Sequence, residues 1–284
     1  MRKNTLIFAS IILLTILAAC GGNNTDNNTS NENSEANEEN SNALSEDKLV
    51  VGVTAGPHEE VFEIVKELAA EDGLEIEVKV FSDYVIPNTA LDEGDLDANS
   101  YQHKPFMDKF NDDHGTNLVS AFPTILSMIG VYSETLTDVN DIPEGGKIGI
   151  PNDPTNGARA LNIFEEAGLI EIDEEKRDSA TPLDIVTNDK NIEFIELDAA
   201  QIPNMLGEVD LAVINGNFAT SSGLNPTEDS IFTETDGSPY VNHLVIREEN
   251  INDPVIEKLK NAYYSDEVKD YINSEYPGVY QASW

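Results

Sequence analysis

The chain carries one cysteine, Cys20, in 284 residues. A single thiol excludes a disulfide framework and a thiolate metal cluster. Basic residues are scarce too: 16 Lys+Arg stand against 54 Asp+Glu, a formal net charge of -38. A surface of that sign disfavours nucleic acid and anionic lipid headgroups as partners. The histidines, His58, His103, His114 and His243, are scattered and offer zinc no cluster of ligands. There is no Gly-Xaa-Ser-Xaa-Gly elbow and no glycine-rich phosphate loop. Asp95-Leu96-Asp97-Ala98-Asn99 starts like a calcium loop. It fails where such a loop needs glycine and a bidentate glutamate, because Ser100 and Phe106 stand there. Neither a metal, another cofactor nor a catalytic group is expected. The apolar run at residues 6–19 is shorter than the ~20 residues that span a bilayer, so a permanent transmembrane helix is not expected either.

That run is nonetheless informative. Arg2 and Lys3 precede it, Leu17-Ala18-Ala19-Cys20 closes it, and Gly21 and Gly22 follow. A positive start, a short apolar core and small residues before a cut make residues 1–19 a secretory signal peptide. A cysteine at the cut resembles the lipobox of bacterial lipoproteins. The resemblance implies that Cys20 is acylated and becomes the first residue of a lipid-anchored protein on the extracytoplasmic face of the cell membrane. Residues 20–47 are Asn, Ser, Glu, Thr and Gly with almost no large apolar side chain. Such a segment cannot bury enough surface to offset its ordering entropy. It reads as a flexible tether with a reach of roughly 30 Å.

From Lys48 the apolar periodicity is regular. Residues 49–53 form a β-rich run ended by Gly56-Pro57. Pro57 and two glutamates open a helix, where acidic groups suit the positive end of the dipole. Gly73 ends it, and Ile76, Val78 and Val80 then alternate as in a strand. This βαβ pattern predicts a sheet with parallel strands. A second such pattern starts at residues 147–150. It continues through a turn and cap at residues 152–156 and a helix carrying Arg159, Leu161 and Phe164. Strands at 192–197 and 211–214 follow, with a short helix at 200–206 between them. Residues 243–247 resume strand character, and two helices close the chain, the second capped by Ser265. The roughly 237 residues after the tether therefore suit two α/β lobes. Residues 48–137 with 239–284 are expected to form the first and 138–238 the second. The polar, Pro/Gly-marked stretch 138–146 is the expected crossing, and a ligand would sit in the cleft between lobes.

Several stretches beside strand ends are chemically unusual for loops, where function is commonly mounted on α/β scaffolds. They are Ser82-Asp83-Tyr84-Val85-Ile86-Pro87-Asn88, the run from Asp97 to Phe106 with Tyr101-Gln102-His103-Lys104-Pro105-Phe106, the run from Pro151 to Arg159, Asn215-Gly216-Asn217, and Ser238-Pro239-Tyr240-Val241-Asn242. In their order and spacing, and with the lipobox, they resemble the methionine-binding lipoproteins of bacterial ABC importers, the NlpA-type substrate-binding proteins. The resemblance runs from about Lys48 to the end. It implies a two-lobed periplasmic-binding-protein-like α/β fold of type II. It also implies a methionine ligand (the L enantiomer, the D enantiomer or a methionine-containing dipeptide) and an ABC transporter permease as partner. The alternative reading, an envelope hydrolase, lacks a nucleophile–base pair.

With that resemblance, Arg159 is expected to clamp a carboxylate through its planar fork, near a helix N-terminus that also favours an anion. Asn156 lies in the same motif. Asn215 and Asn242 offer donors and acceptors to an ammonium, a carboxylate or both. A thioether packs well on aromatic rings, and the resemblance assigns Tyr84, Tyr101 and Phe106 to such a box with His103 as a polar wall. Core packing is the competing reading for Tyr101 and Phe106, and Asn217 reads as a turn residue.

Overall fold

Lys48–Thr54 forms strand β1, whose Leu49, Val51 and Val53 are fully buried. An apolar run of this kind suits a strand covered on both faces. Pro57 opens α1 (Pro57–Glu71) at a position where its missing N–H costs nothing. Val61, Phe62, Val65 and Ala69 share the buried face of that helix. β2 (Glu75–Phe81) returns parallel to β1, with Leu49 opposite Ile76 and Val53 opposite Val80. The computed structural model describes residues 43–235 and 238–284, all within one compact unit. The signal peptide, Cys20 and most of the tether lie outside the described residues. The tether ends earlier than its composition suggests. Leu44 is buried in the first core, and its N–H donates to Asp253 Oδ2 at 2.8 Å.

The chain continues through α2 (Ile86–Asp92), β3 (Ala98–His103), α3 (Lys104–His114) and β4 (Leu118–Ser127). It then enters β5 (Ile129–Tyr132), β6 (Lys147–Pro151), α4 (Pro154–Glu166), the short strands β7 (Glu171–Ile172) and β8 (Ile185–Thr187), and β9 (Glu193–Leu197). β10 (Leu211–Asn215), α5 (Gly216–Ser221), β11 (Phe232–Thr233) and β12 (Val241–Arg247) follow, and α6 (Pro254–Tyr263), α7 (Asp266–Glu275) and β13 (Tyr280–Ala282) close it. One sheet has the order β13-β4-β12-β3-β1-β2 and a second the order β11-β5-β10-β6-β9. Each has its own core. The first packs α1, α6 and α7 through Phe62, Leu259, Tyr263 and Ile272; the second packs α4 through Leu161 and Phe164. These are the two lobes.

Among the described residues the chain passes between the sheets twice, at Met128 between β4 and β5 and again between β11 and β12. The first passage falls ten residues before the expected boundary at 138. Val139 and Ile142 of the expected crossing are instead buried in the second core. The reason is visible in composition. The real passage runs through residues 118–132 with no turn residue at Met128, whereas 138–146 carries the Pro and Gly of an ordinary turn within one lobe. Residues 199–205 form a 3-10 turn containing Pro203 rather than a regular helix.

The stretch from Asp97 to Phe106, which reads as a loop, is a strand and the start of a helix. β3 is buried throughout although it contains Asn99, Ser100, Gln102 and His103. Its two amides, Asn99 and Gln102, pair with each other and with Asn88 of α2. Asn88 Nδ2 donates to Gln102 Oε1 at 2.8 Å, Asn99 Nδ2 donates to Asn88 Oδ1 at 2.9 Å, and Gln102 Nε2 donates to Asn99 Oδ1 at 2.8 Å. Buried amides paired in this way are compatible with a strand core, and these tie α2 to the strand that carries Tyr101 and His103. Replacing Asn88 with Ala leaves Gln102 Oε1 without its donor, although Gln102 Nε2 keeps Asn99 Oδ1. Urea denaturation should show a loss of about 1–3 kcal/mol, the cost of unpaired buried polar groups; an unchanged midpoint would remove this network as the support of β3.

Candidate functional site

The expected residues converge from separate elements on one cavity of about 330 Å³. Tyr84 comes from the turn after β2, Tyr101 and His103 from the end of β3, and Phe106 from the first turn of α3. Asn156 and Arg159 come from the start of α4, Asn215 from the end of β10 and Asn242 from β12. Gln102, Ser127 and Asn217 line it too. The turn reading of Asn217 is corrected: it lies in α5 and is 3% exposed. Gly216 permits this placement. A Cβ there would meet Met128 O and Ser127 Oγ, each at 2.7 Å, so α5 starts against the passage between the lobes only because the residue is glycine.

The polarity of one wall follows from a carboxylate. Asp153 caps α4, accepting from Asn156 N–H at 2.9 Å. Both of its oxygens also accept from Asn156 Nδ2, at 3.0 Å. A carboxylate only accepts, so the Asn156 amide is oriented with Oδ1 turned away. That Oδ1 faces His103 Nε2 at 3.1 Å and Asn215 Nδ2 at 3.0 Å. His103 Nδ1 accepts from Phe106 N–H at 3.1 Å and caps α3, so the imidazole proton resides on Nε2. Burial, reinforced by the charge of Arg159, pushes the His103 pKa down to about 3 and keeps the ring neutral. Asn215 must present Nδ2 to Asn156, and its Oδ1 is buried without a partner among the described residues.

Arg159 is 3% exposed and lies between the two passages. Its Nε donates to Glu234 Oε2 at 2.8 Å, and its Nη2 donates to Glu234 Oε1 and, at 3.1 Å, to Ser127 O. The ring of Tyr240 covers the guanidinium at 4.0 Å. Glu234 Oε1 also accepts from Ile129 N–H at 3.3 Å. The fork expected for a ligand is therefore occupied by Glu234. Nη1 is the nitrogen left without a partner among the described residues. Nothing in the sequence marks Glu234, because an acidic residue in so acidic a chain carries no signal of its own.

The opposite wall is aromatic. Tyr84 stacks on Tyr101 at 5.8 Å, meets Phe106 edge-on at 6.0 Å and rests on Phe218 at 4.9 Å. The hydroxyls are satisfied elsewhere: Tyr84 donates to Asn217 Oδ1 and Tyr101 to Tyr84 O, both at 2.6 Å. Burial raises both phenol pKa values well above the ordinary range. What these side chains offer the cavity is ring surface, suited to an apolar tail. Tyr101 and Phe106 both pack in the interior and line the cavity. Behind them, Asn217 Nδ2 reaches Thr54 Oγ1 at 3.3 Å, and Thr54 meets His58 Nδ1 at 2.9 Å. Asn242 Nδ2 bridges His58 Nε2 at 2.9 Å and Tyr101 O at 3.1 Å, so its Oδ1 is the amide atom left over. Among the described residues no group of three His, Cys, Asp or Glu is placed to hold a metal ion.

Two α/β lobes joined by two passages, with a small cavity walled by amides, one guanidinium and stacked rings, define a solute-binding protein. The chain belongs to the NlpA lipoprotein family, whose model matches residues 49–284. The D-methionine-binding lipoprotein MetQ of Escherichia coli K12 is 39% identical over 239 residues, 83% of this chain and 88% of that protein. The structure of a nutrient binding protein from Burkholderia cenocepacia bound to methionine is 44% identical and superposes with a TM-score of 0.82, covering 83% of this chain and all of that one. An ABC transporter periplasmic substrate-binding protein from Coxiella burnetii is 38% identical with a TM-score of 0.79, over 83% of this chain and 100% of that one. These relatives are binding proteins, and the envelope-hydrolase alternative has no support among them.

Buried neutral histidines make a pH prediction. Burial lowers the His58 pKa to about 4. The unfolded chain binds that proton near the ordinary value of about 6.5. Stability from His58 is thus complete above about pH 6.5 and is lost as pH falls toward 4. The difference in unfolding free energy between wild type and His58→Gln, measured in urea at fixed pH, should shrink or reverse over this window. A pH-independent difference would show that His58 does not titrate on unfolding.

Proposed function

We propose that the chain is a lipid-anchored receptor on the extracytoplasmic face of the membrane that captures free methionine and delivers it to the permease of an ABC importer. The observation that carries this reading is the pairing, inside one 330 Å³ cavity, of three complementary features. Arg159 Nη1 suits a carboxylate, the unpartnered Asn215 Oδ1 suits an ammonium, and the rings of Tyr84, Tyr101 and Phe106 suit a thioether tail. The methionine named for the E. coli and B. cenocepacia relatives supports the same ligand. Asn242, through its remaining oxygen, and His103 and Asn156, through their mutual bond, complete the polar wall.

The anchor rests on Cys20 and on membership of a lipoprotein family. Among the described residues no helix is long and apolar enough to cross a membrane. A lipid and a tether would hold the receptor near its permease and raise its effective concentration there.

Calorimetry with L-methionine, D-methionine and glycyl-methionine tests the ligand. L-methionine is expected to bind, and to bind more tightly than the dipeptide. An added residue moves the ammonium by about 3.8 Å, the spacing of successive Cα atoms, away from Asn215 when the carboxylate stays on Arg159. Arg159→Ala should weaken binding by about 2–4 kcal/mol, as for loss of a buried charged partner. Wild-type affinity in that variant would overturn the carboxylate assignment. For the anchor, Cys20→Ala expressed in bacteria should move the protein from the membrane to the soluble fraction and abolish palmitate labelling; continued labelling would place the lipid elsewhere.

A further inference from the structure

Asp153 is not among the residues that line the cavity, yet it dictates what that wall offers a ligand. We propose that Asp153 is a positioning residue that makes the site selective for ligands bearing a free α-ammonium, by forcing Asn215 to present an acceptor. This inference rests on the binding function proposed above and deepens it.

The argument is one of donors and acceptors. Asp153 takes hydrogen bonds from Asn156 N–H, Asn156 Nδ2 and Thr155 Oγ1. Because the carboxylate cannot donate, Asn156 cannot turn its oxygen toward it. Asn156 Oδ1 is committed to the far side, where it takes His103 Nε2–H and Asn215 Nδ2–H. Turning the Asn215 amide over would set its oxygen against the Asn156 oxygen, two acceptors with no proton between them. Among the described residues Asn215 Oδ1 is thereby left unpartnered, at a residue 7% exposed that lines the cavity. A buried acceptor in that state gains most from a charged donor. An ammonium meets the requirement; a methylene in its place leaves the oxygen unpaired.

The test separates this relay from simple support of α4. Serine is also a good N-cap, so Asp153→Ser keeps the cap while removing the carboxylate that orients Asn156. Asp153→Asn retains one acceptor oxygen, so its effect should be smaller. Each protein is titrated calorimetrically with L-methionine and with 4-(methylthio)butanoate, which lacks the amino group. For L-methionine, Asp153→Ser should bind at least about tenfold more weakly than wild type, the scale of a mispaired buried polar group. For the deamino acid the same substitution should change affinity by less than about twofold, since no ammonium is there to lose. Equal losses for both ligands, or no loss for either, would overturn the proposal. Nitrogen NMR of His103 in ligand-free protein gives a readout independent of methionine. Wild type should show a neutral ring protonated on Nε2, and Asp153→Ser should weaken or lose the bond from that proton. An unchanged His103 signal in Asp153→Ser would overturn the relay. Wild-type protein that does not bind methionine would overturn the proposed function while this readout still judges the relay.

Discussion

The buried pair of Arg159 and Glu234 is the constraint around which the site is built. Desolvating two charges is expensive, and a buried pair is tolerable only with good geometry and further hydrogen bonds. Here Glu234 meets the guanidinium through two nitrogens, Ser127 O and Ile129 N–H supply additional bonds, and Tyr240 covers the face. Those partners sit at the two places where the chain passes between sheets. The pair therefore fastens α4 to both passages as well as supplying a charge. A cation held in this way is fixed before any ligand reaches it, which lowers the ordering cost of binding. It also has much of its charge offset by Glu234, so on the proposed function it would offer a ligand carboxylate one nitrogen in place of an open fork.

A second consequence is that the cavity has a direction. Asp153 orients Asn156, Asn156 orients Asn215 and accepts from His103, and the hydroxyls of Tyr84 and Tyr101 are spent on Asn217 and backbone. Donor, acceptor and apolar surface are thus separated within about 330 Å³. An amide alone is ambiguous, since it both donates and accepts. The ambiguity of Asn215 in the sequence is resolved by an aspartate sixty-two positions earlier in the chain, brought near by the pairing of β6 with β10.

This explains what was legible from residues alone. The βαβ start, the caps at Asp153 and Ser265, and the two-lobed class all follow from local pattern and from motif order. The placement of Tyr84, Tyr101, His103, Phe106, Asn156, Arg159, Asn215 and Asn242 around one cavity was suggested by resemblance, motif by motif. β3 was not legible, because its buried amides look like loop chemistry until Asn88 arrives from another element to pair with them. The passage at Met128 was invisible for the opposite reason: the strand-like sequence runs on from Leu118 to Tyr132 with no turn motif at Met128 to mark the change of sheet. Glu234 and Asn217 act through partners far away in sequence, and no spacing rule connects them to Arg159 or Tyr84.

The bonds that join the lobes use the residues that line the cavity. His103 of the first lobe meets Asn156 of the second, while Asn217 of the second meets Tyr84 and Thr54 of the first. A ligand can favour closure only through interactions it makes better in the closed form than in the open one. On the proposed function a carboxylate on Arg159 would give little of that difference, because Arg159 is bonded to Ser127 and Glu234 at the two passages. The difference must come from groups that approach from opposite lobes. An ammonium at Asn215 Oδ1 and an apolar tail against Tyr84, Tyr101 and Phe106 satisfy that condition, since one wall belongs to the second lobe and the other to the first. On the proposed function, carboxylate capture and lobe closure would therefore be separable steps. A molecule that has only the carboxylate would then occupy the anchor without pulling the lobes together.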